Sequence, residues 1–254
     1  MYLCICDEAA HAASGGAIPV QVRRRVEGLD WQALRHNLEE RGFAVTPQLL
    51  SGDECASLIS AYDNDNLYRS KINMRRHGFG EGEYQYFRYP LPDVVASLRE
   101  SFYTHLAGTA NIWAERLGSD VKYPARLTQF LQYCRAAGQS RPTPLILKYG
   151  AEGYNCLHQD LYGEVYFPFQ VAVLLSRPGV SYQGGEFVLV EQRPRRQSRA
   201  EIIPLQQGEG VIFATHHRPV MGRRGYYRCV MRHGVSRLHA GERYTLGVIF
   251  HDAT

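Results

Sequence analysis

From Thr143 onward the chain is written in short apolar runs bounded by glycine, proline and asparagine. The runs TPLILKYG, FQVAVLLS, GEFVLVEQ, AEIIPL, GVIFAT, YRCVMRHGV and RYTLGVIFH follow one another with turn signals between them. Many short strands punctuated in this way specify a sandwich or jelly roll, not a sheet of βαβ units. The C-terminal half is therefore expected to be all-β.

Ahead of it the apolar period lengthens. Trp31, Leu34, Leu38 and Phe43 suggest a short amphipathic helix that stops at Gly42, before the strand-like FAVTPQLL. In SGDECASLISAYD, Ser51 with Glu54 three residues later is a capping box, and Cys55, Leu58, Ile59 and Tyr62 form the apolar face behind it. The longest helical pattern follows Pro92, where Val94, Val95, Leu98, Phe102, Leu106, Trp113 and Leu117 recur at three- and four-residue intervals up to Gly118. Between these helices lies RRHGFGEGEYQYFRYPLP, dense in glycine, rings and charge with no clean period. It is either a solvated loop or a lid, since glycines permit hinge motion and rings stack on planar substrates. Residues 1–28 read as an irregular extension, small and polar until Arg23, Arg24 and Arg25.

At 254 residues with 44% apolar content the chain can bury one sizeable core. The expected architecture is one compact α+β unit. It has an extension over 1–28, a helical layer over 29–140 with a candidate substrate lid at 71–92, and a jelly-roll core over 141–254. No apolar run approaches a membrane span. The opening MYLCICDEAAHAASGG is acidic where a secretory leader would be basic. Six cysteines without a CxxC pair indicate reduced thiols, and a cytoplasmic protein is expected. The net charge of +4 is unevenly spread: Arg193 to Arg237 holds ten arginines against Glu201 and Glu209, so the remainder is net acidic. Either these arginines are solvated or they face phosphates, which suit guanidinium forks.

The chemistry concentrates in YGAEGYNCLHQDLYGEV. His158 and Asp160, if placed at the end of the TPLILKYG strand, share a face at i and i+2 and can present nitrogen and oxygen to one ion. His233, which follows a strand in the β half, is the third candidate. Two histidines and a carboxylate form the facial triad of non-haem Fe(II) oxygenases, and zinc hydrolysis is the competing use of the same ligands. Arg243, ten residues beyond His233, separates the two, because a chelated keto acid needs its far carboxylate neutralised and arginine does this bidentately. Thr245 adds a hydroxyl on the same face. His216 and His217 are rival third ligands, but neither has an arginine at that interval. His239 and His251 read as a turn residue and a strand-end residue, and Gly184 and Gly185 as a tight turn.

HQD, GGEF and RHGVSRLHAGERYT resemble the 2-oxoglutarate- and Fe(II)-dependent oxygenases, with their His-x-Asp, distal His, and Arg followed by x-Ser or x-Thr. The likeness spans the β half and implies a double-stranded β-helix, the jelly-roll core of that superfamily. A finer likeness in RRHGFGEGEYQYFRYPLP, YNCLHQDLYGEVYFPFQVAVLLS, GGEFVLVEQRPRRQSRAE and FATHHRPV is to a prokaryotic family described as oxygenases acting on alkylated, damaged nucleic acid. The resemblance implies a dioxygenase that hydroxylates a C–H bond with Fe(II), 2-oxoglutarate and dioxygen. His158, Asp160 and His233 would hold the iron, and Arg243, assisted by Tyr149 and Thr245, the 2-oxoglutarate. For oxidative demethylation of a base, the arginine surface of 193–237, with Arg195, Arg196, Arg199, Arg223 and Arg224, would lead nucleic acid to the iron, and Arg75, His77, Tyr84, Tyr86 and Phe87 would line the base site. The alternatives are hydroxylation of a protein side chain or small metabolite, and a non-enzymatic β-fold that keeps a metal for structure.

Overall fold

The computed structural model describes residues 17–254. The first sixteen residues of the expected extension lie outside the described residues, and the rest of it is not irregular. Ala17–Glu27 forms helix α1, and its Val22 and Val26, one turn apart, are fully buried. The basic run is drawn into the fold: Arg25 donates to the Leu49 carbonyl at 2.6 Å and pairs with Glu54 at 2.5 Å, while Arg23 reaches Glu100 at 3.1 Å. Two valines give too short a period to announce a helix; burial against the rest of the molecule defines it.

Helix α2 (Trp31–Arg41) begins where the Asp30 side chain accepts from the Ala33 N–H and ends at Gly42 in the left-handed region, φ 80°. Strand β1 (Phe43–Gln48) leaves that turn, and helix α3 (Gly52–Ser60) starts on the Ser51–Glu54 capping box, both bonds of which are present. Strands β2 (Tyr68–Asn73), β3 (Gly80–Glu81) and β4 (Glu83–Phe87) follow, then helices α4 (Asp93–Arg116) and α5 (Leu127–Ala136). The seven runs read as strands are β5 (Leu145–Tyr149), β7 (Phe169–Leu174), β9 (Phe187–Gln192), β10 (Arg199–Ile203), β11 (Glu209–Ala214), β13 (Gly225–Val235) and β15 (Arg243–Ile249). Between them lie four strands that the sequence pattern does not announce: β6 (Tyr154–His158), β8 (Tyr182–Gly184), β12 (His217–Gly222) and β14 (Leu238–Gly241).

These strands make two facing sheets, as a jelly roll requires. The larger runs β1-β11-β7-β15-β5-β4-β2 and the smaller β10-β9-β13-β6-β3, with β12 also on β13 and a β14-β8 ribbon beside them. Central strands β7 and β15 are buried along their whole length because both of their faces are covered. Phe169, Val171, Val173, Leu246 and Val248 join the core under the helices, where Trp113 of α4 packs on Phe169 at 4.4 Å. The alternate residues Ala172 and Leu174 turn inward, toward Leu189 and Val235 of the smaller sheet. Period-2 alternation therefore puts Arg243 and Thr245 of β15 on the interior face. The candidate lid corrects to a wall: β4 adds to β5 in the larger sheet while β3 adds to β6 in the smaller one. Phe87 is fully buried and stacks on Tyr68 at 4.9 Å. Among the described residues no helix is long and apolar enough to cross a membrane.

Helix α4 is pinned to the end of β15 by Arg99, 1% exposed, which donates to the carbonyls of Ile249 and Phe250, at 2.9 Å each, and pairs with fully buried Asp252 at 2.8 Å. Removing one partner of such a pair leaves an uncompensated buried charge. Asp252→Ala is expected to lose about 3–5 kcal/mol of folding stability in chemical denaturation; a loss below about 1 kcal/mol, the range of an exposed pair, would contradict this role for Arg99.

Candidate active site

The His-x-Asp pair stands at the end of β6, one strand later than the sequence pattern suggests. Between β5 and β6 the turn 150–153 carries the chain from the larger sheet to the smaller, closed by a Gly153 N–H to Gly150 carbonyl bond of 2.9 Å. Tyr149 is thereby left on one wall and His158 on the other. His158 pairs in register with His233 of β13, and their rings lie 4.2 Å apart. Asp160 folds back between them: its Oδ1 is 3.4 Å from His158 Nε2 and its Oδ2 is 3.2 Å from His233 Nε2. The three residues offer one ligand atom each within 4.8 Å of one another.

The protonation pattern suits a cation. His158 Nδ1 lies 2.8 Å from the Cys156 carbonyl, which can only accept, so Nδ1 carries a proton and Nε2 is the atom turned to Asp160; burial pulls His158 down, but Asp160 outweighs it and raises the imidazole above its ordinary value. Burial pushes the Asp160 carboxyl up, but His158 and His233 beside it outweigh burial and hold it well below the usual carboxylate range. Burial and then the His158 charge drive His233 down, toward the neutral imidazole that a metal binds. Tyr162 donates to Asp160 Oδ1 at 2.6 Å, and burial, then Asp160, keeps its phenol protonated. Sequence reasoning misses Tyr162, although the same-face rule that joins His158 to Asp160 reaches it in one further step.

A cavity of about 310 Å³ runs from this trio to Arg243 and Thr245, walled by Tyr84, Leu147, Tyr149 and Phe213. Arg243 is 2% exposed, pairs in register with Tyr149, and donates from Nη1 to Thr245 Oγ1 at 2.6 Å. No carboxylate is salt-bridged to it among the described residues, and its Nε has no partner. A buried cation left so exposed to desolvation calls for an anion. Gly185, φ 65°, makes room for it, because a Cβ there would stand 3.1 Å from Arg243 Cδ and 2.4 Å from Leu238. The arrangement fits a divalent metal at one end of the cavity and the far carboxylate of a dicarboxylate at the other. Three protein ligands with a cavity on the open side do not describe a closed structural metal site.

The other residues that the sequence nominates divide. Tyr84 lines the cavity; Tyr86, 7% exposed, stands behind it, ring centroids 5.3 Å apart. His77 is exposed and stacks on Phe79 at 5.3 Å, and Phe79 itself, 47% exposed and not anticipated, stands at the mouth. Arg75 is solvated and paired to Glu81 at 2.7 Å. Phe87 belongs to the core under the helices and cannot line a base site, a correction that follows from its strand alternation. Of the arginine-rich segment, Arg218 is buried against Glu191, whereas Arg195, Arg196, Arg199, Arg223 and Arg224 are exposed and none lines the cavity. The rings of His216 and His217 lie 3.5 Å apart at a tilt of 35°, away from the trio; burial pushes both down, His217 to about 4 with help from His216 and Arg228. His239 is exposed, while His251 is fully buried and accepts the Phe167 N–H.

Solved structures share this architecture. A prolyl-4-hydroxylase of Pseudomonas putida superposes with a TM-score of 0.50 at 12% identity, covering 88% of this chain and all of that one. A 2OG-Fe(II) oxygenase family oxidoreductase of Burkholderia pseudomallei gives 0.50 at 15% identity, over 88% of this chain and 93% of that one. A non-heme alpha-ketoglutarate-dependent epimerase of nogalamycin biosynthesis gives 0.52 at 16%, over 88% and 83%. These likenesses show the fold, within which His158, Asp160 and His233 form a candidate metal site. Residues 82–253 match the model of a family described as oxygenases catalysing oxidative methylation of damaged DNA, and the chain belongs to that family. An uncharacterized protein of Mycobacterium tuberculosis, found in two strains, is 49% identical over 167 residues, 66% of this chain and 72% of its own.

Groups that orient a ligating carboxylate typically change metal affinity when removed. Tyr162→Phe is expected to weaken Mn(II) binding, measured by calorimetry, about 10- to 100-fold at unchanged thermal stability of the metal-free protein. An affinity equal to wild type would remove Tyr162 from the site.

Proposed function

We propose that this protein is a 2-oxoglutarate- and Fe(II)-dependent dioxygenase that oxidises alkylated bases of nucleic acid, with His158, Asp160 and His233 holding Fe(II) and Arg243 anchoring 2-oxoglutarate. The observation that carries the cofactor assignment is the buried, unpaired Arg243 at the far end of the cavity that starts at the trio. Its guanidinium fork matches a carboxylate bidentately. Thr245 Oγ1 accepts from Arg243, so its own proton is free to donate to the same carboxylate. Tyr149 OH accepts from Asn155 Nδ2 at 3.3 Å and, held protonated by burial, has its proton free in the same way.

Fe(II) held by His158, Asp160 and His233 would supply the activation of dioxygen, with 2-oxoglutarate against Arg243 as the reductant converted to succinate and carbon dioxide. The protein fixes orientation and excludes water. Leu145, Leu147 and Phe213 give the cavity an apolar lining, which strengthens the charge pairing of Arg243 with its ligand. Tyr84 inside and Phe79 at the mouth present ring faces suited to a planar base. Hydroxylation of an N-methyl carbon gives a hemiaminal that falls apart to formaldehyde and the restored base. The base substrate is supported by the family description, by the aromatic mouth and by the exposed arginines. Free thiols at Cys55, Cys134, Cys156 and Cys229 support a reducing, cytoplasmic setting.

Succinate release with Fe(II) and 2-oxoglutarate, compared across N-methylated oligonucleotides, peptides and free amino acids, tests the proposal. Stimulation by methylated oligonucleotides with matching formaldehyde is the expected result. Stimulation by peptides or amino acids alone would reject the base substrate and reassign the enzyme to side-chain or metabolite hydroxylation.

A further inference from the structure

On the outer face of the smaller sheet the turn between β9 and β10 overhangs β13 and encloses an open hollow. It is lined by Arg193, Arg195, Arg196 and Arg228 with Gln192 and Val230 among their neighbours. Only Arg193 is neutralised, by Glu191 at 2.5 Å, and that carboxylate is shared with Arg218. Arg195, Arg196 and Arg228 are exposed, and among the described residues none has a salt-bridged acid. Arg195 also holds a left-handed backbone, φ 59°, which non-glycine residues seldom adopt. Three like charges around one concavity repel each other, and an anion seated among them relieves that repulsion.

The position of the hollow matters as much as its charge. Val230 and His233 lie on the same strand, roughly 10 Å apart at the usual rise per residue, on opposite faces of the sheet. Along the adjoining edge of β13, β6 and β12 lie end to end: His158 pairs with His233 and His217 with Val230. Gln159 bridges the break between them, donating to the Met231 carbonyl at 2.8 Å and reaching that of His216 at 3.4 Å. Gln159 lines the cavity, and the half-exposed His217 stands in register with Val230, which lines the hollow, so only the short break between β6 and β12 separates the two.

We infer that this hollow binds phosphates of a nucleic acid backbone next to the nucleotide whose base is presented to the triad. The inference rests on the nucleic-acid reading above and adds to it a location. Guanidinium groups engage phosphate oxygens bidentately, and backbone binding of this kind positions a strand without reading its sequence.

The test compares the full chain, loaded with Mn(II) and 2-oxoglutarate, with the triple variant Arg195→Ala, Arg196→Ala, Arg228→Ala. All three side chains are solvent-exposed, so the melting temperature is expected to match wild type. Binding of a methylated single-stranded oligonucleotide, followed by fluorescence anisotropy across a salt series, is expected to weaken at least tenfold at low salt. Its salt slope is expected to flatten by about 2, since each phosphate of a single strand that the protein neutralises adds about 0.7 to that slope. Oxidation of the free methylated nucleoside, which has no phosphate, is expected to be unchanged. Wild-type affinity and slope in the variant, alongside oligonucleotide turnover by the wild type, would overturn the hollow and leave the base substrate standing. Turnover of peptides alone, with no oligonucleotide binding, would overturn both. An equal loss of poly-glutamate binding would reassign the hollow to acidic polymers in general.

Discussion

Burying a guanidinium without a carboxylate is costly, and the interior of this protein is arranged to do it. Arg243 sits between the rings of Tyr149 and Tyr182, its charge 5.8 and 5.9 Å from their centroids, with one hydrogen bond to Thr245. Aromatic faces offset part of the desolvation of a cation, by about 0.5–2 kcal/mol each, and leave the remainder for a ligand to relieve. The strand pairing that fixes Arg243 opposite Tyr149 leads directly into the turn that crosses to the smaller sheet and delivers His158 and Asp160 to the other wall. Arg243 and the His158–Asp160–His233 trio are thus two ends of one local piece of topology, set by the turn at 150–153.

The contrast with the other buried arginines makes the point sharper. Arg99 and Arg218 are as deeply buried, yet each is saturated, Arg99 by Asp252 and two carbonyls, Arg218 by Glu191 and the Glu39 carbonyl. Both tie a helix to a sheet, and neither has capacity left for a ligand. Arg243 alone among the three keeps an unpartnered Nε and faces a cavity. Structural and functional guanidinium groups are distinguished here by what remains unsatisfied, not by burial.

How legible the molecule is in its sequence follows from the same distinction. Strands β5, β7, β9, β11 and β15 announce themselves because a buried strand must be apolar along most of its length, and the Ser51–Glu54 box because capping is local chemistry. Strand β6 does not, since its five residues are half-exposed or exposed: it borders a cavity and an edge, and its apolar pattern is surrendered to the site it carries. That is why sequence reasoning attaches the His-x-Asp pair to the wrong strand even while singling out its residues. The segment 80–87 is opaque for another reason, as β3 and β4 become strands only by pairing with β6 and β5, partners 59 to 75 residues distant in sequence. Phe79 is hidden because only the folded sheets bring it to the mouth, whereas Tyr162, bonded to Asp160, lies one same-face step beyond the His-x-Asp pair.

The central claim is that one cavity holds a ferrous ion at His158, Asp160 and His233 and a chelating keto acid against Arg243. Anaerobic titration of the protein with Fe(II) and then 2-oxoglutarate, followed by visible absorption, tests it most directly. A metal-to-ligand charge-transfer band that appears only when both are present, and is lost in Asp160→Ala and in Arg243→Ala at the same 2-oxoglutarate concentration, is the predicted result. No band in the wild-type protein, or an unchanged one in either variant, would contradict it.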